Sequence, residues 1–248
     1  MKNDSFYDHF RQDKPTKAGA RLSSAMCRRI FDFAGVTRGQ RVLEIGPGRG
    51  AFADICLSSG VRYAAVEANK PLADALRSRG AEVVEARVPP LPPLDGKFDF
   101  VVMINVMEHM NGMPEALAVA RQIREILEPG GKFVVCSPDY LNLRSQFFNC
   151  DFSHSYVTTQ RRLAQLFISA GYGRSRSSYV AGPFSGPLAI LVAACTVLLP
   201  FGAFHAWWPD SRLFLKLYKI KLSLSRKVLI VGDSSDGSGE THGHESYE

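Results

Sequence analysis

A chain of 248 residues, 46% hydrophobic and 22% charged, has ordinary globular composition and can bury the core of one α/β domain with room for additions. Its net charge of +6 is too modest to name a partner, so the position of the charge carries more information than its total. The five cysteines (Cys27, Cys56, Cys136, Cys150 and Cys195) are scattered, odd in number and free of any CxxC spacing, which argues against a disulfide framework or a zinc site and for a reducing compartment.

Residues 1–17 are polar with no apolar run, so no secretory signal peptide is expected there; Phe6, Tyr7 and Phe10 suit an N-terminal cap packed on the surface. Between 19 and 35, Leu22, Met26, Ile30, Phe31 and Phe33 recur at roughly helical spacing and predict a helix. A turn at Arg38-Gly39-Gln40 leads to a first strand over 41–45, a glycine-rich loop and a helix over 52–59. A second strand over 61–66 ends in Glu67, a helix over 70–79 is closed by Gly80, and a third strand covers 81–86. Pro89-Pro90-Leu91-Pro92-Pro93 can be neither helix nor central strand and is a loop. Residues 98–104 form a strongly apolar fourth strand and 113–127 a helix. Pro129-Gly130-Gly131 makes a turn before a fifth strand over 132–136. A helix over 158–170 is followed by a sixth strand over 173–180, and 228–231 reads as the last.

Strands alternating with helices at this spacing imply parallel pairing through right-handed crossovers. The expected fold is therefore α/β: a doubly wound, mostly parallel, seven-stranded Rossmann-like sheet with an apolar helical insertion before the last strand. Ligands of such sheets bind at the carboxyl ends of the strands, near the point where strand order reverses. The glycine loop lies there, and its bare N–H groups, with the positive end of the next helix, favour a ligand pressed against the main chain.

Spacing separates two ligand classes. A dinucleotide fingerprint is G-x-G-x-x-G, whereas this loop reads Glu44-x-Gly46-x-Gly48-x-Gly50 within Val-Leu-Glu-Ile-Gly-Pro-Gly-Arg-Gly. Here the chain resembles the class I S-adenosylmethionine-dependent methyltransferases, whose first motif is [DE]-x-G-x-G-x-G. The resemblance continues through Glu67, through Asn105-Val106-Met107-Glu108-His109-Met110 as the family's "leH" segment, and through Leu127-Glu128-Pro129-Gly130-Gly131 before the fifth strand. It covers roughly residues 38–181. It implies S-adenosylmethionine as cofactor, held by Glu44, Gly46, Pro47, Gly48, Gly50, Glu67 and Asn105. Glu67 would grip both ribose hydroxyls, because a carboxylate accepts two hydrogen bonds in a fork. The family often places an Asp after the third strand to meet the adenine amino group; here Glu85-Ala86-Arg87-Val88 has none. Adenine recognition then rests on backbone, stacking or Glu85.

A sulfonium carries its own leaving group, so methyl transfer needs alignment and no metal. A hydroxyl acceptor also needs a base, and His109 and His154 are the catalytic candidates. His109 reads more readily as a fold-supporting or adenine-side residue than as the base. His154, in Asp151-Phe152-Ser153-His154, resembles the D-x-x-H of the family's sugar- and quinone-type branches, and reads equally as a loop cap. Tyr140 and Tyr156 either line the same pocket or pack.

Residues 177–209 contain no Asp, Glu, Lys or Arg, and an apolar run of about 20 residues suffices to span a bilayer. Trp207 and Trp208 precede the basic, apolar stretch 212–222, a pattern suited to an interface with anionic lipid. If the strands on either side belong to one sheet, the segment leaves and returns on the same side. Pro200-Phe201-Gly202 then breaks it into a re-entrant or interfacial hairpin, the alternatives being a buried helix pair or a dimer interface. The expected organisation is a core with its cap over 1–182, a membrane-associating insertion over 183–225, a last core strand over 226–232 and a disordered tail over 233–248.

The functional expectation is a methyltransferase on the cytoplasmic side of a membrane that O-methylates a membrane-associated acceptor, a lipid-linked glycan or quinone-like lipid. A soluble small-molecule methyltransferase with an apolar dimer patch and a non-enzymatic membrane adaptor are the alternatives. A nucleic-acid partner is not expected, since the basic residues follow an apolar segment and do not line a polar groove.

Overall fold

The computed structural model describes residues 16–235; the expected cap of Phe6, Tyr7 and Phe10, and the tail from 236 onward, lie outside the described residues. Along the chain run α1 (Lys17–Ala34), β1 (Arg41–Ile45), α2 (Ala51–Ser58), β2 (Arg62–Glu67), α3 (Lys70–Arg77), β3 (Glu82–Glu85) and β4 (Phe98–Ile104). There follow α4 (Met113–Glu125), β5 (Leu127–Pro138), the short α5 (Tyr140–Leu143) and α6 (Gln146–Asn149), α7 (Gln160–Ser169), β6 (Ser175–Ala181) and β7 (Phe184–Ser185). The insertion contributes α8 (Gly186–Val197), α9 (Phe201–Trp207) and α10 (Arg212–Ser223), and β8 (Lys227–Asp233) closes the fold.

Among the described residues the strands form one eight-stranded sheet in the order β3-β2-β1-β4-β5-β8-β6-β7. The first five in that order pair in parallel, and β8 runs antiparallel between β5 and β6. The seven expected strands are all present; the additional one, β7, is a two-residue return against β6. Strand order reverses between β1 and β4, so the glycine loop after β1 sits at the switch point.

Alternate side chains of the central strands serve opposite layers. Leu43, Ile45, Val101, Met103, Phe133 and Val135 are buried with α4 and α7, while Val42, Phe100, Val102, Val134 and Cys136 are buried with α1, α2 and Leu76 of α3. Phe167 of α7 is wholly buried and stacks on Phe133, ring centroids 5.1 Å apart. Phe167→Ala should therefore cost about 3–5 kcal/mol of stability, read by urea denaturation; a loss below about 1 kcal/mol would contradict this packing.

The structure corrects one expected turn. Pro129-Gly130-Gly131 does not precede a strand but forms a bulge inside β5, where Phe98 pairs with Leu127 and Phe100 already pairs with Lys132. Gly131 is required there, because a Cβ would come within 2.8 Å of the Glu128 carbonyl and 3.0 Å of the Phe98 carbonyl.

Register also decides how the insertion sits. Lys227 pairs with Val180 on one side and with Pro138 on the other. The chain thus leaves β6 and re-enters β8 at the edge where β5 ends, the carboxyl edge of the parallel strands. Ala189 and Ala193 of α8 are fully buried, with Tyr179 and Phe184 packed on the same small cluster. The other face of this region is open: Leu188, Leu191, Leu198, Trp207 and Trp208 are exposed. Gly186–Trp207 is long and apolar enough to cross a membrane by length and composition, yet it is broken at Pro200, between α8 and α9. α10 then runs back, its Lys221 ammonium donating to the Leu199 carbonyl at 2.6 Å.

Candidate active site

The glycine loop takes its shape from three left-handed residues, Gly46, Gly48 and Gly50, with φ of 68°, 54° and 79°. Gly46 is also constrained by space, since a Cβ would meet Val106 Cγ2 at 2.7 Å. Glu67, at the end of β2, ties the loop down: Oε2 accepts from the Gly48 N–H at 3.0 Å and Oε1 from the Asn69 N–H at 2.8 Å. Each oxygen keeps a lone pair toward the neighbouring cavity. Asn105 follows β4 with φ 53°, a left-handed conformation that Asn tolerates better than most residues.

A cavity of about 640 Å³ opens at this edge of the sheet and is lined at one end by Gly46, Gly48, Glu67, Asn69, Val88 and Asn105. Ala86, Arg87 and Pro89 complete that end. Glu85 is exposed and is not part of the lining, which leaves backbone and apolar stacking for a flat ring there. The expected cofactor residues do not all face this space. Glu44, Pro47 and Gly50 line a smaller cavity of about 240 Å³ against α1, with Gly46 and Asn105 common to both. Strand alternation explains the division: Glu44 projects to the sheet face opposite Leu43 and Ile45.

Glu44 is buried and accepts from the Tyr63 hydroxyl at 2.6 Å. Burial pushes its carboxyl up to about 8; the Tyr63 hydrogen bond opposes the rise and the Glu67 charge adds to it.

The far end of the large cavity is built from Asp151, His154, Leu143 and Cys150, from Leu222 and Ser225 at the end of the insertion, and from Lys227. The histidines expected from sequence meet here, His109 and His154, with ring centroids 5.0 Å apart. His109 Nδ1 lies 2.7 Å from Ser153 Oγ, and the Ser153 hydroxyl in turn donates to Asp151 Oδ1 at 2.6 Å. The D-x-x-H pattern therefore works differently from its linear reading: the Asp151 carboxylate is hydrogen-bonded through Ser153 to His109 and reaches the His154 imidazole through its charge. His154 Nδ1 lies 2.5 Å from the Phe147 carbonyl, so the loop-capping contact is real, and the same side chain also lines the cavity. Burial is the main cause that lowers the pKa of both imidazoles, with Asp151 opposing it.

Glu108 was missed as a site residue, although it stands beside His109 in the segment that carried the resemblance. It is fully buried; Ser137 Oγ donates to its Oε2 at 2.7 Å, while Oε1 has no hydrogen-bond partner. Burial pushes this carboxyl up to about 7. Tyr140 and Tyr156 resolve to packing: Tyr156 is buried in the core under the Arg162 guanidinium, and Tyr140 stacks edge-on with Phe147.

Comparison with known proteins fits this geometry. Residues 7–173, more than half of the chain, match the family model described as a methyltransferase domain. The chain is 30% identical over 125 residues to ribosomal RNA small subunit methyltransferase A of Synechococcus sp. (strain CC9605), covering 46% of this chain and 44% of that protein. It spans about half the length of the first curated relatives it matches. A SAM dependent methyltransferase from Archaeoglobus fulgidus superposes with TM-score 0.59 at 17% identity, over 93% of this chain and all of that one. A Haemonchus contortus N-methyltransferase bound to S-adenosylhomocysteine gives TM-score 0.58 at 13% identity, over 85% of this chain and 52% of that chain. At these identities the structural likeness is one of fold.

Proposed function

Because the chain belongs to the methyltransferase domain family, we propose that it transfers the methyl group of S-adenosylmethionine to a hydroxyl of a membrane-associated acceptor, from the cytoplasmic side. The observation that carries this reading is the single cavity that joins Gly48 and Glu67 at one end to His109 and His154 at the other, where Leu222 and Ser225 of the insertion form part of the wall.

The residues that would hold the cofactor divide between the two cavities. In the smaller one Glu44, ionised or as the acid, would offer acceptor oxygens to the cofactor's ammonium, and Pro47 and Gly50 shape the backbone there. In the larger one Glu67 would accept from the ribose hydroxyls, and Val88 and the Asn105 backbone are the surfaces available to the adenine. The bound cofactor would supply a methyl group activated by a sulfonium. His154, with His109 behind it, makes the acceptor hydroxyl nucleophilic. Attack on the methyl carbon would form the carbon–oxygen bond as the carbon–sulfur bond breaks, the electron pair would stay on sulfur, and the acceptor's proton would pass to Nε2 of His154. Positioning does most of the work, since the leaving group is already cationic.

The insertion supports a lipid-linked substrate, either a lipid-linked glycan or a quinone-like lipid. An interfacial hairpin would bury the exposed Leu188, Leu191, Leu198, Trp207 and Trp208 in the headgroup region, with Arg212 and Lys216 on α10 facing anionic lipid. Replacing Leu191, Leu198 and Trp207 together by Gln should lower partitioning onto anionic vesicles by at least tenfold, since each buried apolar side chain contributes about 1.5–3 kcal/mol. Cosedimentation measures it. A wild-type protein that ignores vesicles, and self-associates through the same residues in ultracentrifugation, would replace the membrane with a dimer interface.

A further inference from the structure

The acceptor end gathers hydrogen-bond acceptors and gives them almost nothing to accept. Glu108, His109 and His154 each bring a potential ligand atom to one point, all within 4.8 Å of one another. The hydrogen bonds around them set which atoms are bare. A carbonyl only accepts, so the proton on His154 sits on Nδ1, against Phe147, and Nε2 carries the lone pair. The Ser153 hydroxyl is committed to Asp151, so His109 donates from Nδ1 and has Nε2 left for a ligand, the Asn105 backbone being another polar neighbour of the ring. Glu108 Oε1 is buried without a partner, although a carboxylate oxygen removed from water is destabilising unless another contact replaces the lost hydrogen bond.

Two imidazole lone pairs and a buried carboxylate oxygen, each oriented by a second hydrogen bond, form the donor set of a metal centre with its supporting contacts in place. We propose that Glu108, His109 and His154 bind one divalent first-row cation of the Zn²⁺ or Mn²⁺ type, with the remaining coordination position open to the acceptor oxygen. This rests on the methyltransferase reading for its role but not for its existence. Charge favours it: Lys227, which lines the same end, is offset by Asp151, leaving the Glu108 carboxylate and an acceptor alkoxide to balance the two positive charges of the ion.

The chemistry closes. The acceptor hydroxyl coordinates through oxygen and releases its proton to solvent. The bound alkoxide attacks the methyl carbon, the carbon–sulfur pair stays with sulfur, and the products are a methyl ether, S-adenosylhomocysteine and one proton. His154 then acts as a ligand, not as the base.

The test uses tag-free, EDTA-treated full-length protein titrated calorimetrically with Zn²⁺ alone and with Mn²⁺ alone. One ion per chain is expected for at least one of them. Affinity should fall at least about tenfold in Glu108→Gln and in His154→Ala, and in Asp151→Asn, where only the support of His109 is lost. S-adenosylmethionine binding, measured on the same samples, reports that each variant is folded. Failure of both ions to bind wild-type protein that still binds S-adenosylmethionine overturns the cation site and leaves the methyltransferase reading standing. Equal metal binding by all variants overturns it as well. Metal binding without S-adenosylmethionine binding would overturn the methyltransferase reading and keep the site.

Discussion

Glu67→Gln is expected to weaken S-adenosylmethionine binding roughly a hundredfold. The carboxylate holds the Gly48 and Asn69 N–H groups at 3.0 and 2.8 Å, and on the proposed reading its remaining lone pairs would accept from the ribose hydroxyls. An amide of the same shape keeps one acceptor oxygen and turns the other atom into a donor, aimed at an N–H that also donates. Hydrogen bonds to a charged group contribute about 1.5–3 kcal/mol each, and about 1.4 kcal/mol is a factor of ten, so losing the fork and disturbing the loop together reach two decades. Calorimetry with the cofactor reads this directly. Binding within threefold of wild type would remove Glu67 from the cofactor site and shift the ribose to another acceptor.

His154→Ala is expected to act at the opposite end and in the opposite way. Methyl transfer should fall about 10²–10⁴-fold, the usual contribution of a group that readies an acceptor hydroxyl, while cofactor affinity stays within about twofold. The measurement is incorporation of labelled methyl from the cofactor into a total lipid extract, with the product identified. The separation is the informative part, because His154 ties down the loop through Phe147 and lines the cavity far from Glu67. A variant that loses cofactor binding and transfer together would mean that His154 only supports the fold. A wild-type protein that labels water-soluble compounds and no lipid would move the acceptor off the membrane.

Local pattern made much of the donor side legible. Glu44-x-Gly46-x-Gly48-x-Gly50 and Glu67 lie within a strand or the turn that follows it, so spacing alone brings them to one edge. The acceptor side was less legible because its parts come from distant segments. The pairing of His109 with Ser153 spans 44 residues, and nothing in the linear order of Asp151 and His154 says that the carboxylate serves the other histidine. Glu108 looked like one residue of a motif; only its burial, with one oxygen satisfied and one bare, marks it out. Pro129-Gly130-Gly131 was read as a turn because glycine and proline carry the same local signal in a bulge.

By itself, then, the sequence determined the layered, mostly parallel α/β fold and the glycine loop that follows its first strand, since these follow from periodicity and from glycines with left-handed backbone, whereas the order of the strands in the sheet came from the structure. It also determined that an apolar insertion precedes the last strand. Only the tertiary structure decided where that insertion stands. The pairing of Lys227 with both Pro138 and Val180 returns it to the carboxyl edge of the sheet, so that Leu222 walls the cavity. The tertiary structure likewise decided which lone pairs face one another there, because hydrogen-bond direction depends on neighbours that the chain brings together only once it has folded.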